Sequence, residues 1–366
     1  MVRQPLGSRL PDFPWNSLAP YQQKAQEHPE GRINLSVGSP VDEVAPSIQL
    51  ALAEAAAAPG YPQTIGTPEL RAAITASLQR RYGISHPGGV LPVVGTKEAI
   101  AMLPSHLGIQ GTVIIPEVAY PTYEVSGLVA HADVVRSDAP WELDAATTAA
   151  AGLIFINSPG NPTGSVASVE YLRRVIDWGR EHDVIVVCDE CYLGLIWEGE
   201  AYSLLHPKVA GDDLSNLLII HSLSKTSNLA SYRAGFIAGD EKLLAELTEV
   251  RKHCGLMLPG PIQAAMAAGC ADDDQETLQR LRYARRRKVL LEAVINAGFE
   301  VTDSQAGLYL WMSRGEDCWQ TVEWFAERGI VVAPGSFYSP NTHNYVRLAL
   351  TATDADIVAA SRRIAQ

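Results

Sequence analysis

A chain of 366 residues, 47% hydrophobic and 19% charged, can bury a sizeable core and form more than one domain, which excludes intrinsic disorder. A formal charge of −12 without a basic stripe excludes a nucleic-acid surface, and no apolar run reaches the ~20 residues of a membrane-spanning helix. Five cysteines in no regular framework, and a segment from Met1 to Trp15 without an apolar h-region, fit the cytoplasm better than a secreted disulfide scaffold.

Residues 1–42 read as an arm that packs on the C-terminal part of the chain. From 43 to 272, short β-rich runs alternate with helical patterns. Strands are expected over Val90–Val94, Thr112–Ile115, Gly152–Asn157, Val184–Cys188, Asn216–His221 and Ala234–Ala238. Helices are expected over Thr96–Leu107 and over Val169–Glu181, the latter capped by Ser168. Strands of continuous Val, Ile and Leu between helices predict an α/β fold, with a mostly parallel central sheet covered by helices on both faces. Long helices over Asp240–Gly255 and Gln275–Asn296 lead to shorter strands at Gly307–Met312, Ile330–Val332 and Tyr345–Leu350, then a closing helix from Asp354. Residues 273–366 thus read as a smaller α+β domain. The run Arg285-Arg286-Arg287-Lys288 reads as a solvated helix face.

Ligands of a parallel sheet gather at the C-terminal strand ends, so the residues after each strand matter most. After Val90–Val94 comes Gly95-Thr96-Lys97-Glu98, a glycine opening a helix N-terminus that offers free N–H groups to an anion. It lacks the Gly-Lys-Ser/Thr ending of a nucleotide P-loop. After Gly152–Asn157 comes Ser158-Pro159-Gly160-Asn161-Pro162-Thr163-Gly164, a rigid turn whose two X-Pro bonds could be cis and would aim the Asn161 amide. After Val184–Cys188 comes Asp189-Glu190-Cys191-Tyr192, where strand alternation turns Asp189 away from Cys188 and Glu190. A carboxylate there needs a cation or strong donor, and a protonated ring nitrogen is one; a helix cap or surface ion pair is the plainer alternative. The Cys188-x-x-Cys191 spacing lacks the second ligand pair of a metal site, so no metal is expected. After Asn216–His221 comes Ser222-Leu223-Ser224-Lys225, in which Lys225 is a candidate Schiff-base nucleophile. His221, inside the strand, reads as a core histidine.

The ordered set Asn161-Pro162-Thr163-Gly164, Asp189 with Tyr192, Ser222-x-Ser224-Lys225 and Arg233 eight positions on resembles the fold-type-I pyridoxal-phosphate aminotransferases of the aspartate aminotransferase superfamily. The likeness runs from about Asn34 to Arg347. It implies that Lys225 holds the cofactor and moves a proton, and that Asp189 pairs with the pyridinium nitrogen. Asn161 and Tyr192 would hydrogen-bond the ring 3-oxygen, and Tyr120 would stack on the ring. Thr96, Lys97, Ser222 and Arg233 would hold the phosphate. Arg347 would grip the substrate α-carboxylate, with Asn161 beside it, and Gly38 would belong to a segment closing over the substrate. Tyr61, in a Tyr-x4-Gly-x3-Leu-Arg pattern, resembles the tyrosine that reaches a neighbouring subunit's phosphate, which implies a homodimer with shared sites. Tyr309 and Trp311, alternating with leucines, read as packing of the small domain, with contact of Tyr309 or a neighbour to the substrate left open.

Leu10-Pro11-Asp12-Phe13-Pro14-Trp15, Asn34 to Asp42 and Ala58-Pro59-Gly60-Tyr61-Pro62 resemble the actinobacterial type of N-succinyldiaminopimelate aminotransferase. That resemblance implies transfer of an amino group from glutamate to N-succinyl-2-amino-6-oxopimelate in lysine and diaminopimelate synthesis. The extended acidic arm of this substrate needs a local cation, and no second arginine is assignable to it. Aspartate, aromatic or methionine-type aminotransferases and carbon–sulfur lyases share the scaffold. A ligand-sensing module of a transcription regulator would carry a DNA-binding domain that the first ~45 residues cannot hold.

Overall fold

The structure is a computed structural model and describes residues 5–366. The arm carries the two-residue strand β1 (Ile33–Asn34). Seven strands follow, β2 (Gly89–Val94), β3 (Thr112–Ile115), β4 (Asp133–Arg136), β5 (Ala151–Asn157), β6 (Ile185–Asp189), β7 (Leu217–Ser222) and β8 (Ala234–Gly239). They form one sheet in the order β2-β8-β7-β6-β5-β3-β4. Strand β8 runs antiparallel to both its neighbours, and the remaining pairs are parallel. The mostly parallel sheet read from the sequence is therefore present.

Alternation divides the strand side chains between two cores. Ile154, Ile156, Val186, Cys188, Leu217 and Ile219 bury one face, and Leu153, Phe155, Val187, Leu218 and Ile220 bury the other. Removing each such side chain from water contributes about 2 kcal/mol, so the sheet is a stiff platform. The chain runs outward from β3 to β4 in one direction and from β5 through β8 in the other. The crevice between β3 and β5 is the switch point where ligands of such sheets bind.

A second assembly contains β9 (Glu300–Thr302), β10 (Tyr309–Ser313), β11 (Ile330–Val331), β12 (Ala333–Pro334) and β13 (Val346–Ala349). Four of these form an antiparallel sheet in the order β12-β13-β10-β9, and β11 pairs in parallel with β1. Leu18, Ile33 and Leu35 of the arm share a hydrophobic cluster with Leu310, Leu348 and Phe325.

Two departures from the sequence reading have physical causes. Strand β4, a half-exposed edge strand, and the helices Pro68–Tyr82 and Thr122–Ala130 lack the long apolar runs that made their neighbours legible. The Arg285–Lys288 run is not a solvated face as a whole. Arg286 is buried, donating from both Nη atoms to Asp42 (2.8 and 2.6 Å) and from Nε to Asp354 (2.8 Å). Arg287 pairs with Glu198, and Arg285 with Asp354. Charge in sequence gave no sign of the two aspartates, 244 and 68 positions away, that draw Arg286 inward.

Candidate active site

The strand register brings the chemistry to one edge. Asn157 lies opposite Asp189 across β5 and β6, and Ser222 opposite Gly235 across β7 and β8. The turn after β2 and the turns after β5, β6 and β7 open on a cavity of about 760 Å3. Gly38, Thr96, Lys97, Tyr120, Asn161, Asp189, Tyr192, Ser222, Lys225, Arg233 and Arg347 all line it. Of the residues singled out from sequence, Tyr61 alone stands apart, 95% exposed.

Local folding fixes each group. Gly95 adopts φ +78°, and a Cβ there would collide with the Arg233 guanidinium, so glycine alone lets the Arg233 side chain lie across the N-terminus of the helix Thr96–His106. Ser222 caps the short helix holding Lys225, its Oγ accepting from the Ser224 N–H at 3.1 Å. The Asn161 turn contains two cis bonds, Ser158-Pro159 and Asn161-Pro162. Its backbone N–H donates to Asn157 Oδ1 at 2.7 Å, while Asn157 Nδ2 donates to the Asp189 carbonyl at 2.9 Å. This side-chain bridge ties the turn to the neighbouring strand end.

Asp189 leaves β6 on the Val187 face and is buried, whereas Glu190 points the other way into bonds from Ser203 Oγ (3.0 Å) and Leu204 N–H (2.7 Å). Asp189 accepts from Tyr123 Oη at 2.7 Å and from the Cys191 N–H at 3.1 Å. Burial pushes its carboxyl above the usual range even so, and no cation pairs with it among the described residues. Lys225 shows the opposite: burial holds its amine below the ordinary lysine value, and its Nζ donates to the Gly38 carbonyl. A buried lysine with depressed basicity gives up its proton more readily than an exposed one, which favours it as a nucleophile.

Arg347 is buried and reaches across from β13. It donates to Asn161 Oδ1 and to the Ser36 carbonyl, both at 2.7 Å, and its Nε has no partner. Its guanidinium lies 3.9 Å from the Tyr309 ring centroid. Tyr309 packs in the small-domain core, as read from the sequence, and also lines the cavity. Its hydroxyl meets that of Tyr192 at 3.1 Å. Trp311 packs too, stacked on Tyr345 at 5.0 Å.

These groups fit the cofactor that the resemblance implies. A helix N-terminus with Arg233 and Ser222 suits a phosphate, Asp189 is a buried carboxylate short of a cation, and Lys225 is a buried amine. Sequence reasoning missed Tyr123, two places from a proline in Tyr120-Pro121-Thr122-Tyr123, and the arm residues Phe13 and Trp15 that roof the cavity. Their contacts are long-range, and only the aromatic content of the arm hinted at them. Lys97 Nζ lies 5.1 Å from the Phe13 ring centroid, so its side chain turns toward the roof.

Comparison with known proteins agrees with the geometry. Residues 30–364 match the family model described as aminotransferase class I and II. A probable aminotransferase of Mycobacterium tuberculosis is 53% identical over 99% of this chain and 87% of its own length. The 4-dedimethylamino-4-oxo-anhydrotetracycline transaminase of Streptomyces rimosus is 48% identical over 97% of this chain and 99% of its own. A solved structure of a probable N-succinyldiaminopimelate aminotransferase from Thermus thermophilus is 27% identical, with a TM-score of 0.83 over 96% of this chain and 99% of that one.

Proposed function

The chain belongs to the class I and II aminotransferases and is a pyridoxal-phosphate-dependent enzyme acting on amino acids and 2-oxo acids; from that premise we propose that it transfers the amino group of glutamate to N-succinyl-2-amino-6-oxopimelate. The observation that carries the reading is one cavity holding a buried amine, a buried carboxylate without a cation, and a buried arginine with a free Nε.

Bound pyridoxal phosphate supplies an electron sink for the charge left at Cα when its proton is removed. Lys225 would hold that cofactor, and its amine, when free, would take the proton from the substrate Cα. Asp189 keeps a positive charge at the ring nitrogen, its own position set by Tyr123 and the Cys191 N–H. Asn161 and Tyr192 serve the 3-oxygen, Tyr120 the ring face, and Thr96, Lys97, Ser222 and Arg233 the phosphate. Arg347 takes the α-carboxylate bidentately in exchange for its present carbonyl and amide acceptors.

Lys97 serves the phosphate through its backbone N–H, and its ammonium, which lies beneath the roof, is the cation the cavity lining offers to the distal acidic arm. The Thermus relative's name supports the same substrate class. The Streptomyces relative's name and the apolar roof of Phe13, Trp15 and Pro121 favour a second reading, a large cyclic ketone as acceptor. The chain divides in this account into an arm (1–42), a cofactor domain (43–272) and a small domain (273–366). Exposure of Tyr61, Leu50 and Val41 supports a homodimer in which Tyr61 reaches the partner's phosphate site. No helix among the described residues is long and apolar enough to cross a membrane, and we assign the enzyme to the cytoplasm.

A half-reaction screen tests the substrate. The enzyme is converted to its amino form with glutamate and then given candidate oxo acids, following the visible absorbance of lysine-bound cofactor. Return of that absorbance with N-succinyl-2-amino-6-oxopimelate is expected. Return only with aspartate-derived, aromatic or polycyclic oxo compounds would overturn the assignment, and release of pyruvate and ammonia without an acceptor would make it a lyase.

A further inference from the structure

Tyr309 has no role in the mechanism so far, yet three parts of the site meet on it. Its hydroxyl lies 3.1 Å from that of Tyr192, with the two rings edge to face at 5.8 Å. Its ring lies 3.9 Å from the Arg347 guanidinium carbon. Gly38 packs so closely on it that a Cβ there would collide with the hydroxyl, and the carbonyl of that same Gly38 accepts from Lys225. Tyr309 sits on β10 directly beside β13, and its neighbour two places on, Trp311, is the register partner of Arg347. The residue is therefore held by the strand pair that delivers Arg347.

From these contacts we propose that Tyr309 is a positioning residue that ties the cofactor side of the site to the carboxylate side. Its hydroxyl orients the Tyr192 hydroxyl toward the 3-oxygen. Its ring face holds the Arg347 guanidinium flat for the α-carboxylate. The two actions use different parts of one side chain, which makes them separable. The Arg347 guanidinium is held at its edge by the two Nη bonds, to be given up to the substrate carboxylate, while its Nε has no partner and its faces meet aromatic rings. The rings around it are Tyr309 at 3.9 Å, Tyr338 at 5.1 Å and Trp15 at 5.8 Å, and Tyr309 is in contact range. The charged and titratable groups around the Tyr309 side chain are Tyr192, Lys225, Arg347, Tyr120, Tyr283 and Tyr338. Either hydroxyl of the pair can donate; with the Tyr192 hydrogen given to the 3-oxygen, Tyr309 is the donor, and its donation strengthens the bond Tyr192 gives. A stronger donor steadies negative charge on the 3-oxygen and so weakens the hold on the proton at the Lys225 nitrogen.

This rests on the assignments of Tyr192 and Arg347 above, so the test includes a variant of Tyr192. The pH midpoint of the visible absorbance of lysine-bound cofactor is measured for the wild type, Tyr192→Phe, Tyr309→Phe and Tyr309→Leu, together with KM and kcat for glutamate. Tyr192→Phe should raise the midpoint, and Tyr309→Phe should raise it by less, with KM within about threefold of wild type because the ring remains. Tyr309→Leu should raise KM by about tenfold, more than kcat falls. An unmoved midpoint in Tyr309→Phe, or equal KM in the two Tyr309 variants, overturns the role of Tyr309 alone. An unmoved midpoint in Tyr192→Phe overturns the assignment of Tyr192 and this proposal with it.

Discussion

The two sides of the cavity are held by different means. On the cofactor side, Asn161, Asp189, Ser222 and Lys225 follow strands whose side chains are buried in the two cores of one sheet. On the substrate side, Gly38, Tyr309 and Arg347 come from the arm and the small antiparallel sheet, which share a hydrophobic cluster of their own and are joined further by polar contacts between residues far apart in sequence. The Ser36 carbonyl accepts from Arg347, and Asp42 takes both Arg286 nitrogens while also accepting from Gln279 at 2.8 Å. A packed sheet fixes where the chemistry happens, and hydrogen bonds across the arm fix what is admitted. The first side should respond to mutation in kcat and the second in KM.

The largest effect belongs to the cofactor side. Lys225→Ala should lower turnover by about four orders of magnitude while still binding cofactor without the lysine-bound absorbance. Asp189→Ala should keep that absorbance but slow Cα proton removal by about a thousandfold in single-turnover kinetics. On the other side, Arg347→Lys should raise KM for glutamate by about a hundredfold with a smaller change in kcat, since an ammonium cannot replace the paired guanidinium bonds. A fall in kcat at constant KM would break the comparison.

A smaller effect is expected further out. Arg286→Met leaves Asp42 without its cation and should cost about 3 kcal/mol in denaturant unfolding. With the arm loosened, KM should rise several-fold and kcat should change less. The smallest effect is a change of shape with pH. Glu190, buried on the other face of β6, has its carboxyl pushed up to about 8 by desolvation. Between about pH 4.5 and 8 the folded chain holds a proton there that the unfolded chain has released, so this contribution to stability is full below that window and is lost as pH rises through it. His221, held neutral by burial down to about 3, works oppositely: its contribution is present above pH 6.5 and lost on acidification. Glu190→Gln should therefore flatten the fall in melting temperature between about pH 5 and 8, and an unchanged slope would remove Glu190 as its source.

The same contrast explains what could be read in advance. Asp189, Lys225 and Asn161 were legible because each follows a recognisable strand by a fixed few residues, and strand alternation alone turned Asp189 away from Glu190. The helix after Gly95 was legible for the same reason, and its N-terminal Thr96 and Lys97 line the cavity. For Tyr309, alternation on β10 gives the face it takes but not what covers that face, so its place in both the small-domain core and the cavity is visible only in the structure. Arg286 was misread because its partners, Asp42 and Asp354, lie far away in the chain. Tyr123 as a donor to Asp189 depends on how the helix Thr122–Ala130 lies on the sheet, a tertiary fact with no local signature.

The central claim is that one particular amine carries the cofactor. Reducing the holoenzyme with borohydride and mapping the modified peptide by mass spectrometry tests it most directly. The account predicts a single pyridoxyl group on Lys225. A pyridoxyl group on Lys97 or any other lysine, or a protein that retains no cofactor after reduction, would contradict it.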